Sequence, residues 1–169
     1  KNSMYIPKIP NNSLTKEIKR ITELCASKIN EYGEDSSWFE PGMSEADIYD
    51  WEISNNISIP TLYKEWLLFS EKSQIRNNLA RFYKPDDFLS NINRIPNDLI
   101  IVGELMGDGE LLCISKSDNK LVVVDHDTIE DADFREILKD IIHILEDECG
   151  LSMDMQELLM KMVNESKEK

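Results

Sequence analysis

The sequence predicts a single α+β domain, an antiparallel meander sheet with helices packed on it. Three observations carry that prediction. Apolar residues recur at intervals of three and four over residues 14–32 and 133–149, and again in two shorter helical segments on either side of the connector Asn56–Ile59. Between residues 99 and 124 they come instead in short strand-like runs, at Leu99–Val102, Glu110–Ser117 and Leu121–Val124. The connections Gly107-Asp108-Gly109 and Ser117-Asp118-Asn119 are too short for a crossover helix, so consecutive strands must pair antiparallel. At 169 residues, one core over residues 1–169 is the natural organisation, with a helical extension over about residues 1–40.

Taken in order, Leu14, Ile18, Ile21, Cys25, Ile29 and Tyr32 form one stripe, ended by Gly33, Glu34 and Asp35. A loop carrying Trp38, Phe39 and Pro41 follows. Ser44 is a helix cap, with Asp47 completing a capping box, and Ile48 and Trp51 face inward. Pro60 suits the first turn of the next helix, whose apolar face is Leu62, Tyr63, Trp66 and Leu67. Arg81 to Lys84 reads as a short strand, and Pro85 as the start of a helical turn through Asp86 to Ile92. After the three plain strands, Phe134, Ile137, Leu138, Ile141, Ile142, Leu145 and Cys149 return to helical spacing, with Gly150 as the stop. A separate short helix then holds Met155, Leu158, Leu159, Met162 and Val163, a stripe suited to core or interface.

Charge narrows the function classes. Asp and Glu number 33 against 19 Lys and Arg, a net −14. Nucleic acid and anionic membranes require a positive surface and are poor partners for such a chain. A basic protein would be drawn to it, although acidity also serves plain solubility. No apolar run approaches the ~20 residues that a membrane-spanning helix needs. The cysteines, at positions 25, 113 and 149, have neither disulfide nor zinc-ligand spacing. They read as small core residues of a protein in a reducing cytoplasm.

Motifs for catalysis are lacking: there is no Gly-x-Ser-x-Gly, phosphate-binding loop, His-Glu-x-x-His or calcium loop. Gly103, Gly107 and Gly109 lead into a strand rather than a helix, and Asp108 and Glu110 would repel phosphate, so they mark a hairpin. The most site-like cluster is Asp125-His126-Asp127, with Glu130, Asp131 and Asp133 close behind. On a strand the two aspartates share one face and His126 takes the other, so they do not converge on one ion. The cluster reads as a solvated strand end entering a helix N-terminus, where carboxylates are favourable. His143 reads as a structural or surface residue. No cofactor is expected.

One stretch has a familiar order. Gly42-Met43-Ser44-Glu45-Ala46-Asp47-Ile48, Trp51-Glu52, Ile57-x-Ile59-Pro60 and Tyr63-Lys64-Glu65-Trp66-Leu67 resemble the opening of the SUKH superfamily, the Smi/Knr cell-wall-assembly-regulator type. Ile101-Val102-Gly103, Gly107 to Ile114 and Val122 to His126 resemble its strands, so the likeness covers roughly residues 42–145. Ser70-Glu71-Lys72-Ser73 stands where the family often has Asn-Gly-Gly.

What the resemblance implies is a SUKH-like α+β fold without an active site. In bacteria that usually means an immunity protein, which binds and silences a toxin, often a nuclease or nucleic-acid deaminase. In fungi it means a regulatory scaffold. A small-ligand or metal-binding role through the Asp125–Asp127 region is a further alternative. For a basic toxin, the candidate contact residues are Asp108, Glu110, Asp125, Asp127, Glu130 and Asp131, with Trp38 and Phe39 as aromatic anchors.

Overall fold

Among the described residues seven strands follow one another across one sheet in chain order, each antiparallel to the last. They are β1 (Trp38–Phe39), β2 (Ser73–Ile75), β3 (Ala80–Phe82), β4 (Leu99–Leu105), β5 (Glu110–Ser115), β6 (Lys120–Asp125) and β7 (Thr128–Asp131). The computed structural model describes residues 4–27, 36–90, 92–93, 95–105 and 109–168; the side chains of residues 149–159 and 166–168 lie outside that description. Four α-helices complete the described elements: α1 (Thr15–Ser27), α2 (Glu45–Asn55), α3 (Thr61–Phe69) and α4 (Phe134–Glu168). The fold class is the α+β meander that the spacing predicts.

The sheet has two unlike faces because successive strand residues alternate sides. Ile75, Phe82, Ile100, Val102, Leu112, Ile114 and Leu121 join the main core, which α1, α3 and α4 cover. Leu99, Ile101, Cys113, Val122 and Val124 point the other way into a smaller cluster with Ile95, roofed by Tyr83 and Ile92. The register shifts between Ile101 and Gly103, a β-bulge that places Val102 out of step with β5. Two groups secure the bulge. The Val102 carbonyl accepts from the Tyr83 N–H at 2.9 Å and from the Tyr63 hydroxyl at 2.9 Å. At Gly103 a Cβ would come within 2.7 Å of the Arg81 carbonyl oxygen, so only glycine lets β3 and β4 approach here.

The helices are fixed to this frame by specific polar contacts. Ser44 caps α2 through its Oγ, which accepts from the Asp47 N–H at 3.1 Å, and Asn56 ends the helix at φ +53°. Glu52 then accepts the Ile59 N–H at 2.7 Å and pairs with Lys64, closing the connector between α2 and α3. Glu65 accepts both the N–H and the hydroxyl of Ser13, at 2.7 and 2.6 Å, just ahead of α1. Arg135 on α4 donates to the Ser13 carbonyl and to Glu17, and Arg20 meets Glu146 at 2.9 Å. So α1 lies along α4 in the same direction, and its Leu14, Ile18, Ile21 and Cys25 belong to the main core. The expected ending at Gly33 lies outside the described residues.

Some expectations are corrected. Gly150 does not stop the last helix: α4 runs through it, and the separate terminal helix does not exist. A helix-interior glycine costs about 1 kcal/mol, which the good helix formers on either side outweigh. The segment after Pro85 makes only a single 3-10 turn, Pro85–Asp87, because Leu89 instead bridges to Ile101. Trp38 and Phe39 are not in a loop but form the sheet's first strand, and Thr128–Asp131 forms its last.

Tyr63→Phe leaves the bulge carbonyl of Val102 and that of Tyr83 without their buried hydroxyl donor. It should lower unfolding free energy by about 1–3 kcal/mol, read from urea denaturation with an unchanged m value. A loss below a few tenths would show that Tyr63 acts through packing alone.

Candidate functional site

The site is assembled at the edge of the sheet that the core does not reach. All four residues of β7 are exposed. β6 turns into β7 through His126 and Asp127, with His126 in the left-handed region at φ +45°. The expected passage from strand end to helix N-terminus is therefore corrected to a hairpin. Asp133, two residues beyond β7, takes the helix-capping role instead, its Oδ1 accepting from the Arg135 N–H at 2.9 Å.

Register places the carboxylates. Leu111 pairs with Val124, so Glu110 and Asp125 occupy the next opposed positions on β5 and β6. Asp125 in turn pairs with Thr128, and Val123 with Glu130. By alternation Glu110, Asp125 and Glu130 stand on the helix-bearing face, while Asp131 and the exposed Ile129 stand on the other. Asp127 sits on the turn. Asp140 of α4 lines the same shallow pocket as Glu110, with Leu105 and Ile144. Residues 125–133 thus hold five carboxylates and no Lys or Arg. Like charges facing each other across strands are destabilising, so this grouping costs stability. His126 sits on the turn among them, its Nε2 3.8 Å from Asp125 Oδ1 and its ring in solvent.

The backbone of β7 is half open. Ala132 donates its N–H to the Leu121 carbonyl at 2.9 Å. Alternation along an antiparallel ladder then turns Thr128 and Glu130 toward β6, leaving the N–H and C=O groups of Ile129 and Asp131 on the outer side. An extended segment of another chain could add there.

The other candidate residues are placed elsewhere. Phe39 is 3% exposed, its ring packed on Trp66 and Phe69, so it is a core residue and not an anchor. Its inward direction follows from pairing with Ser73, which the loop assignment did not anticipate. Trp38 is half-buried at the opposite edge of the sheet, roughly 29 Å from β7 at the usual strand spacing. It lines a groove of about 660 Å³ with Lys72, Arg81, Tyr83 and Leu89, residues whose short, irregular sequence context carried no signal. Trp38 and the carboxylates therefore form two surfaces. Asp108 lies outside the described residues.

For chemistry the site offers charge and hydrogen bonding. Among the described residues no three His, Cys, Asp or Glu side chains come close enough together to hold a metal ion. Burial pushes the Cys113 thiol up to about 12 and raises that of Cys25, so neither is a thiolate at neutral pH. Burial also raises the hydroxyls of Tyr63 and Tyr83, the latter reinforced by a hydrogen bond with Glu104. No helix among the described residues is long and apolar enough to cross a membrane. No family model matches the sequence, and no curated protein matches it.

These raised values set an alkaline limit. Below pH 9 the Cys113 thiol is protonated whether folded or not; between 9 and about 12 only the unfolded chain releases the proton. Stability should therefore fall as pH rises through that window, with Tyr63 and Tyr83 adding to the loss above 10. Cys113→Val should flatten the early part of the decline in urea midpoints, and an unchanged slope would contradict the assignment.

Proposed function

We propose that this chain is a non-catalytic protein-binding domain, an immunity protein of the SUKH kind that neutralises a toxin with a basic surface. The observation that carries the reading is the uncovered β7 edge, where Asp125, Asp127, Glu130 and Asp131 surround an exposed Ile129 and open backbone groups. A toxin that acts on nucleic acid must present cations to phosphate, and those cations are what this edge attracts. Encounter is accelerated by the net −14 field, and retention comes from strand addition and desolvated ion pairs. Nuclease toxins are the best-fitting class. The reading supports itself also on the order of motifs between Gly42 and His126, which resembles that superfamily. The buried free thiols of Cys25 and Cys113 suit the reducing cytoplasm, where such a protein meets an incoming toxin. The protein itself would touch neither nucleic acid nor membrane.

The test is co-expression with the product of the neighbouring gene in its native genome. The expected result is rescue of growth and a stable complex of nanomolar affinity, about −12 kcal/mol. Toxicity unchanged by the chain, with no complex in pull-down, overturns the reading. With the complex in hand, replacing Asp125, Asp127, Glu130 and Asp131 together by their amides should slow association by at least about tenfold at low salt and flatten its salt dependence. Association indifferent to both changes would place the interface elsewhere.

A further inference from the structure

α2 buries little of itself. Ile48 is its one buried residue, and Trp51 packs edge-on against Phe88 with ring centres 5.3 Å apart. Tyr49 and Ile53, four residues apart and so neighbours on one helical face, stay 62% and 65% exposed. Ala46, three residues before Tyr49, is exposed beside them and completes an apolar stripe along the helix. Tyr49 also walls a groove of about 540 Å³ between α2 and α3, to which Ala46, Ile48 and Leu68 add apolar surface.

Carboxylates frame this stripe. Glu45 and Glu52 border it on the groove side, and at 3.6 residues per turn Asp50 falls on its other flank. From Gly42 to Tyr63 the sequence has no Lys or Arg, and Lys64 is already paired with Glu52. Glu45 and Asp50 make no ion pair among the described residues. The dipole of α2 favours Glu45 in the first turn, but it does nothing for Asp50 in the second or for the exposed apolar pair.

We infer that this face docks an amphipathic helix of another protein, one whose apolar stripe is flanked by Lys and Arg. The occupant is a helix because a groove between two helices accepts a third by interleaving ridges of side chains. An extended segment would need open backbone groups, and the middle of α2 has none to give. Its 11 residues span about 16 Å, enough to seat three turns of the partner. Charge selects a basic partner. A second copy would set α2 carboxylates against each other between two bodies of net −14, and nucleic acid or an anionic membrane would be repelled too. α2 and β7 are separate elements, so the inference is independent of the toxin-binding reading.

The probe is a labelled synthetic helical peptide of about 15 residues, carrying a leucine stripe with lysines on both flanks. A second version has glutamates in place of the lysines. Fluorescence anisotropy against the full chain should give a dissociation constant in the micromolar range for the lysine peptide, and at least about tenfold weaker binding of the glutamate peptide. Tyr49→Ala with Ile53→Ala should weaken the lysine peptide about tenfold while leaving the urea midpoint of the chain in place, since both side chains lie outside the core. Glu45→Lys with Asp50→Lys should reverse the preference toward the glutamate peptide. The β7 amide exchange separates the two acidic surfaces, and should cost the lysine peptide less than about threefold at physiological salt. Absent or equal binding of the two peptides, binding that survives Tyr49→Ala with Ile53→Ala, or loss confined to the β7 variant overturns the inference.

Discussion

Burial of Tyr63 and Trp66 against the first four strands is the constraint on which the rest of the molecule depends. Trp66 is fully buried, makes edge contacts with Phe39, Phe69, Phe82 and Phe134, and donates its indole N–H to Ser73 Oγ at 3.1 Å. Tyr63, one turn earlier, reaches the bulge in β4 through its hydroxyl. Together they tie α3 to β1, β2, β3, β4 and α4. Glu52 and Glu65 then attach α2 and α1 to α3, and Arg135 attaches α1 to α4. Because the aromatic cluster sits under the first half of the sheet, the far edge is left outside, and β7 contributes no buried residue.

Where burial dictates the local pattern, the sequence is legible. The β-branched runs at Leu99–Val102 and Leu121–Val124 must lie in a sheet filled on both faces, and they do. Ser44 caps α2 by side-chain chemistry that acts within four residues. What escaped is what depends on distant partners. β1 has two residues and β2 three, too few for any alternation to register, and both exist through pairing and burial across the chain. β7 has one apolar residue, Ile129, and owes its pairing to the tight turn at His126. Gly150 carries the sign of a helix end, but the flanking sequence continues the helix past it.

The candidate site was legible as a list of acids and not as a surface. Asp125, Asp127, Glu130 and Asp131 are contiguous enough that any hairpin would keep them together, and Glu110 joins them only through the β5–β6 register. Trp38 could not be assigned to them or separated from them without the strand order, which places it across the full width of the sheet. An uncovered edge strand is a liability, since its open N–H and C=O groups invite other chains, and charged residues along it restrict which chains can pair. The same carboxylates that deter indiscriminate pairing favour a partner carrying cations. That dual effect connects the cost of gathering like charges here with a use for them.

Hydrogen exchange of the chain, free and in complex with the neighbouring-gene toxin that the proposed function requires, tests the central claim most directly. The account predicts new protection at the amides of Ile129 and Asp131, which face away from β6, together with slowed exchange around the His126 turn. Protection confined to the Trp38 groove or to α2, with β7 exchanging as fast as in the free protein, would contradict it.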